Sequence, residues 1–118
     1  MQYMLAYFEP LAEFAKARDP VQGPAHMGAW KAYIGAMAQA KVLVNGHGLM
    51  PPQAATQVRL RDGKRQVQDG PFADTKEHLG GYVVIDVPTP EEALEWAARS
   101  PASSAGSTEV RPVLPPLP

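Results

Sequence analysis

The chain has 118 residues, 11 Lys and Arg against 12 Asp and Glu for a formal net charge of −1, and no cysteine. That length suits one domain with a real core, and the charge balance gives no reason to expect nucleic acid or an anionic membrane as partner. The missing thiols exclude disulfides, thiolate nucleophiles and cysteine metal sites, and no apolar run nears the ~20 residues of a bilayer span.

The N-terminal Met1-Gln2-Tyr3-Met4-Leu5 lacks the parts of a signal peptide, so a cytoplasmic protein is expected. Tyr3 to Phe8 is apolar on both sides and predicts a buried strand. A loop through Asp19-Pro20 and Gly23-Pro24 leads to a helix opened by Pro24, with Met27, Trp30, Ile34 and Met37 at amphipathic spacing. Ala40-Lys41 ends it. Val42-Leu43-Val44 begins a second strand that runs into Asn45-Gly46-His47-Gly48, where the glycines indicate a bulge or a close backbone approach.

Thr56 to Gln68 reads as a hairpin around Asp62-Gly63. That turn sets Arg61 against Lys64 and Val58 against Val67, so the apolar residues meet on one face. Its tip gathers Arg59, Arg61, Lys64 and Arg65 without the interleaved aromatics of nucleic-acid readers. A charged edge that discourages aggregation is the simpler reading. Asp69-Gly70-Pro71-Phe72 ends the hairpin, either as a tight turn with an aromatic plug or as a pocket rim that sets Asp69 near Glu77 and His78. Asp74 to Leu79 reads as a short helical turn stopped by Gly80-Gly81.

Tyr82 to Val87 is a central strand by its β-branched content. Thr89-Pro90-Glu91-Glu92 is a capping box that opens a helix through Arg99, with Ala93, Leu94 and Ala97 inward. Thr108 to Arg111 makes a last strand, and residues 112–118, with four prolines, form an extended arm. This order is that of an α+β, ferredoxin-like βαββαβ fold with an antiparallel sheet and an extra hairpin. Its two helices cover one sheet face, yet the other is also apolar. Val83, Ile85 and Val87 alternate with Tyr82 and Val84, and Tyr3, Leu5 and Tyr7 alternate with Met4, Ala6 and Phe8. A second copy is the simplest cover, so a homodimer packed sheet to sheet is expected.

Among candidate groups, His26 projects about 40° from Trp30 and about 20° from Tyr33 around the first helix. It lies near the helix N-terminus, which lowers an imidazole pKa and favours a bound anion. The competing reading is a half-buried histidine donating to a backbone carbonyl. His47 lies between two glycines that would let a ligand come close, or that serve only the bulge. Tyr82 and Asp86 share a face of the central strand. Asp86 either lines the dimer cavity, where it would resist ionising, or is solvated at the strand end. The three histidines lack HxH or HxxxH spacing, so neither a metal nor another cofactor is expected. Phosphate loops, GxSxG and Rossmann fingerprints are absent from the sequence.

Gly48-Leu49 with Pro51-Pro52, Asp69-Gly70-Pro71-Phe72 with Lys76-Glu77, Gly80-Gly81-Tyr82 and Glu109-Val110-Arg111-Pro112 follow in order along nearly the whole chain. Together they resemble the DGPF-type branch of the YCII-related domain family. The resemblance implies one domain over residues 1–118, with a ferredoxin-like fold that dimerises into an α+β barrel. The family's better-known branch carries a histidine near the start of its first helix and an aspartate near the end of its second, which have suggested an uncharacterised enzyme activity. Pro24-Ala25-His26 matches the histidine motif, whereas the acid-before-proline motif falls on Ser100-Pro101. A serine cannot charge-stabilise an imidazolium. Either Asp69 or another acid replaces that partner, or this branch has a different task.

Relatives in the broader superfamily include isomerases, dehydrochlorinase-like proteins and cofactor-free monooxygenases, and fold analogy does not choose among them. DGPF-type proteins are also similar to domains beside extracytoplasmic-function sigma factors, which implies a sensing role. Two expectations follow. One is a small enzyme in which His26, aided by Asp69, performs acid–base chemistry on a small molecule between sheet and helix. The other is a non-catalytic ligand-binding or regulatory module with the same pocket. In both, Tyr7, Trp30, His47, Phe72, Tyr82 and Asp86 surround the ligand.

Overall fold

The computed structural model describes residues 1–72 and 75–118. β1 (Gln2–Glu9) is followed by α1 (Leu11–Lys16), α2 (Gly23–Gln39), β2 (Leu43–Gly48), β3 (Thr56–Arg61) and β4 (Lys64–Asp69). Then come β5 (His78–Asp86), α3 (Pro90–Ala98), α4 (Pro101–Ala105) and β6 (Ser107–Pro112). The main sheet has the order β2-β5-β1-β6 with antiparallel neighbours, and β3 and β4 pair apart from it. This is an α+β architecture compatible with a ferredoxin-like fold.

Strand alternation builds the core. Tyr3, Leu5 and Tyr7 pair with Ile85, Val83 and Gly81 and point to the same side. There they pack against Tyr33 and Met37 of α2, Ala93 and Ala97 of α3, and Ala102 of α4. On the opposite side, Met4, Phe8, Tyr82 and Val84 are only half-buried. The shortest principal extent is 19 Å, room for one helical layer on one sheet.

Local chemistry explains the element ends. The Thr89 hydroxyl accepts from the Glu92 N–H at 3.2 Å and starts α3. Lys41, at φ 60°, turns the chain out of α2. Asp62 and Gly63, at φ 52° and 73°, form the hairpin turn, and Arg61 faces Lys64 while Val58 faces Val67.

Several expectations need correction. The loop after the first strand contains α1, whose residues are all at least partly exposed, so it carries no buried stripe to betray it. α4 is also additional. The helical turn expected over 74–79 is not formed at its C-terminal end. Asp74 lies outside the described residues, while His78 and Leu79 belong to β5. That strand passes straight through Gly80-Gly81 with a bulge opposite Tyr7/Phe8, because pairing with β1 outweighs the breaker signal of two glycines. Leu94, expected inward, is 57% exposed. Ala93 and Ala97, one turn apart, are the inward pair of α3, and Leu94 lies about 100° from Ala93.

Asp69-Gly70 closes the hairpin base. The Gly70 N–H donates to the Ala55 carbonyl at 2.8 Å, and a side chain at Gly70 would run into the Pro52 carbonyl. Asp69 pairs with Thr56 and accepts from its hydroxyl at 3.3 Å.

Candidate functional site

A cavity of about 660 Å³ lies between α1 and α2 on one side and the β2–β5 end of the sheet on the other. Its floor includes Gly46 and Gly48 of β2 and Gly80 and Gly81 of β5. A Cβ on Gly46 would sit 2.7 Å from the Tyr82 carbonyl oxygen, and one on Gly81 would sit 2.9 Å from that of His47. Only bare backbone lets these strands meet so closely. A Cβ on Gly80 would lie 3.0 Å from Cε1 of Phe14, so this glycine also makes room for α1.

The walls are mainly apolar, with Phe14, Met27, Trp30, Ile34 and Leu43 among them. His26, in the first turn of α2, is half-buried and lines the same space one turn before Trp30. Tyr7, Trp30 and Tyr33 meet edge to face, with centroids 4.9 to 5.9 Å apart. The Tyr33 hydroxyl donates to the Trp96 carbonyl at 3.0 Å. Its single proton is thus committed, and Tyr7 must donate in the 3.0 Å contact between the two hydroxyls. Burial pushes both phenol pKa values up, with the Tyr7–Tyr33 hydrogen bond adding to the rise at Tyr7. Tyr7 is therefore wall rather than acid or base.

The sequence reading missed Glu9. It ends β1, is 7% exposed, and lines the cavity with His26. Its carboxylate makes no hydrogen bond or ion pair among the described residues. Burial raises its pKa above the ordinary carboxylate value; His26 and Lys16 pull it back, and Glu13 adds to the rise. The available signal was parity, since Glu9 continues the inward series Tyr3, Leu5, Tyr7.

The other candidates scatter. Asp69 is exposed at the hairpin base, and Phe72, half-buried just beyond it, is also outside the cavity lining. Glu77 accepts from Ser107 at 2.6 Å, while His78 is buried opposite Glu9 in the β1–β5 register. The rim of Asp69, Glu77 and His78 is thus divided among three separate attachments. His47 and Tyr82 border the cavity, yet strand alternation places their side chains opposite Val83, where His47 Nδ1 lies 2.9 Å from the Tyr82 hydroxyl. Asp86 is solvated at the strand end and holds the N-terminal ammonium at 2.9 Å. Ser100 is 4% exposed, and its Oγ accepts from the Ala102 N–H at 3.0 Å, capping α4 away from the cavity.

Among the described residues, His, Asp and Glu side chains do not converge in threes as a metal site, and no helix is long and apolar enough to cross a membrane. A 67-residue stretch, 55% of this chain, is 45% identical to an uncharacterized protein of Rhizobium meliloti (strain 1021). The stretch spans 54% of that relative's length, about half of it. The pattern of the YCII-related domain runs over residues 1–116, nearly end to end. With that coverage, the chain belongs to the YCII-related domain family.

Proposed function

We propose that the cavity binds a small organic molecule and that His26 acts on it as general acid or base without a cofactor. The observation that carries this reading is a half-buried imidazole on the wall of a largely apolar cavity of about 660 Å³ with a glycine floor. That volume suits a metabolite-sized ligand, and a positioned imidazole can give or take a proton of a bound molecule within hydrogen-bond reach. Bare backbone at Gly46, Gly48, Gly80 and Gly81 lets a ligand lie close to peptide groups that can orient it. Asp69, bonded to Thr56, is left out of the proton chemistry. The half-buried face of Met4, Phe8, Tyr82 and Val84 supports a homodimer packed sheet to sheet, with the barrel that such packing closes.

The test is a thermal-shift screen of small metabolites on the wild type and on His26→Ala, followed by a product assay on each hit. Specific stabilisation and turnover, both lost in the variant, are expected. Hits that stabilise the variant equally overturn the role of His26.

One observation favours a second reading. The residue in the family's acid position, Ser100, caps α4 through its hydroxyl and carries no charge for a histidine. A chain without that acid fits a ligand-binding module, including one serving extracytoplasmic-function sigma factor signalling. Stabilisation by a ligand that is never converted selects this alternative.

A further inference from the structure

We propose that Glu9 is the anchor for a protonated amine, so that the cavity takes organic ammonium compounds with an apolar, aromatic-sized body. The proposal rests on the cavity being the binding site and adds the class of ligand.

Glu9 is the one nearly buried acid on the wall among the described residues, and its acceptors are vacant there. The residue is 7% exposed but its oxygens are not sealed in, so the carboxylate opens onto the cavity with its lone pairs free for a ligand that brings the opposite charge. The neighbouring cations do not discharge it. Lys16 is held by Glu13 at 2.7 Å. His26 lines the cavity with Glu9 and His78 is its partner on the neighbouring strand β5, but neither makes an ion pair with it. Arg18 borders the cavity from an exposed position on the α1–α2 connection.

An ammonium group brings three donors to a carboxylate whose lone pairs are unused. The aromatic faces of Phe14 and Trp30, on the same walls, are also favourable to a cation. Met27, Ile34 and Leu43 then receive the apolar body. A carboxylate ligand would instead meet the like charge of Glu9. A neutral ligand would leave that charge desolvated and unpaired.

The test is titration calorimetry of the full chain near neutral pH with three probes that share a body and differ in head group: phenethylamine, phenethyl alcohol and phenylacetate. The expected result is that phenethylamine binds at least about tenfold more tightly than the alcohol, with phenylacetate weakest. In Glu9→Gln the amine preference disappears, because the amine loses its counter-charge while the alcohol, no longer set against a desolvated carboxylate, binds at least as tightly as to the wild type. Binding of the alcohol or acid as tight as the amine overturns the role of Glu9 and leaves the cavity reading standing. An amine preference that survives Glu9→Gln has the same consequence. Failure of all three probes to bind at millimolar concentration overturns both.

Discussion

The hydroxyl of Tyr7 donates to that of Tyr33 at 3.0 Å, and Tyr33 donates in turn to the Trp96 carbonyl at the same distance. This relay joins β1 to α2 and α2 to α3 beneath the cavity. It predicts an asymmetry between two matched substitutions. Tyr33→Phe leaves both the Tyr7 donor and the Trp96 acceptor without partners and should cost about 1–3 kcal/mol. Tyr7→Phe leaves Tyr33 still donating to Trp96 and should cost less, about 0.5–1.5 kcal/mol. Urea unfolding of the two variants checks the order; equal costs would refute the relay.

Both phenols have raised pKa values in the fold. The unfolded chain therefore loses these protons first as the solution becomes alkaline. The stability they contribute is complete below an unfolded tyrosine pKa of about 10 and declines as pH rises beyond it. Alkaline melts should show Tyr7→Phe resisting the decline better than the wild type.

Glu9 gives a second pH window. Its folded pKa is raised, chiefly by burial, so its contribution is complete below an unfolded value of about 4.3 and is lost as pH rises through the folded value. Glu9→Gln should match the wild type in stability at acidic pH and exceed it at neutral pH. The gap should open as pH rises above the unfolded value and level off once the folded carboxyl has also ionised. Paired unfolding curves across that range measure it. A constant gap would mean that Glu9 is hydrated in the fold.

The cavity floor predicts opposite behaviour from neighbouring glycines. A methyl at Gly46 would press on the Tyr82 carbonyl at 2.7 Å and on Val83 Cγ1 at 2.8 Å, whereas one at Gly48 meets nothing within 4 Å. Gly46→Ala should cost about 1–3 kcal/mol through forced separation of β2 and β5. Gly48→Ala should be neutral or stabilising by about 0.4–1 kcal/mol, because it restricts the unfolded chain. Thermal melts of the pair decide.

Much of this fold was legible because several signals were local. Asp62-Gly63 set the hairpin register, Thr89-Pro90 placed the start of α3, and the alternation in Tyr3 to Phe8 separated the two sheet faces. Signals failed where a neighbour overrode them. Gly80-Gly81 punctuates a lone segment but is held extended by β1, and Leu94 is apolar yet faces outward because Ala93 and Ala97 fit closer to the sheet. The cavity was legible as far as His26 and Trp30, which share a helix face. Its acid was not, because Glu9 looked like the polar end of a strand until β1 was seen to carry it inward.

Ser100 offers a further test. Serine and asparagine are near equals as helix N-caps. Ser100→Ala should therefore lose the bond to the Ala102 N–H and cost about 0.5–2 kcal/mol, whereas Ser100→Asn should keep most of that stability. Chemical denaturation of the two variants checks it. Equal losses would mean that burial of the side chain, and not the cap, governs this position.

The last prediction concerns the sheet face away from the helices. Val84 pairs with Met4 of β1 and Asn45 of β2, at the centre of that face, and is half-buried within one chain. A face this apolar is poorly suited to water, and a twin related by a two-fold axis presents the same face in return. The wild type should sediment as a dimer at micromolar concentration. Val84→Lys, whose charge would be desolvated at the contact, should sediment as a monomer with its β-sheet circular dichroism intact. A wild type that sediments as a monomer, or a variant that remains dimeric, would remove the sheet-to-sheet contact while leaving the helix-side cavity in place, because His26 and Glu9 lie on the other side of the strands.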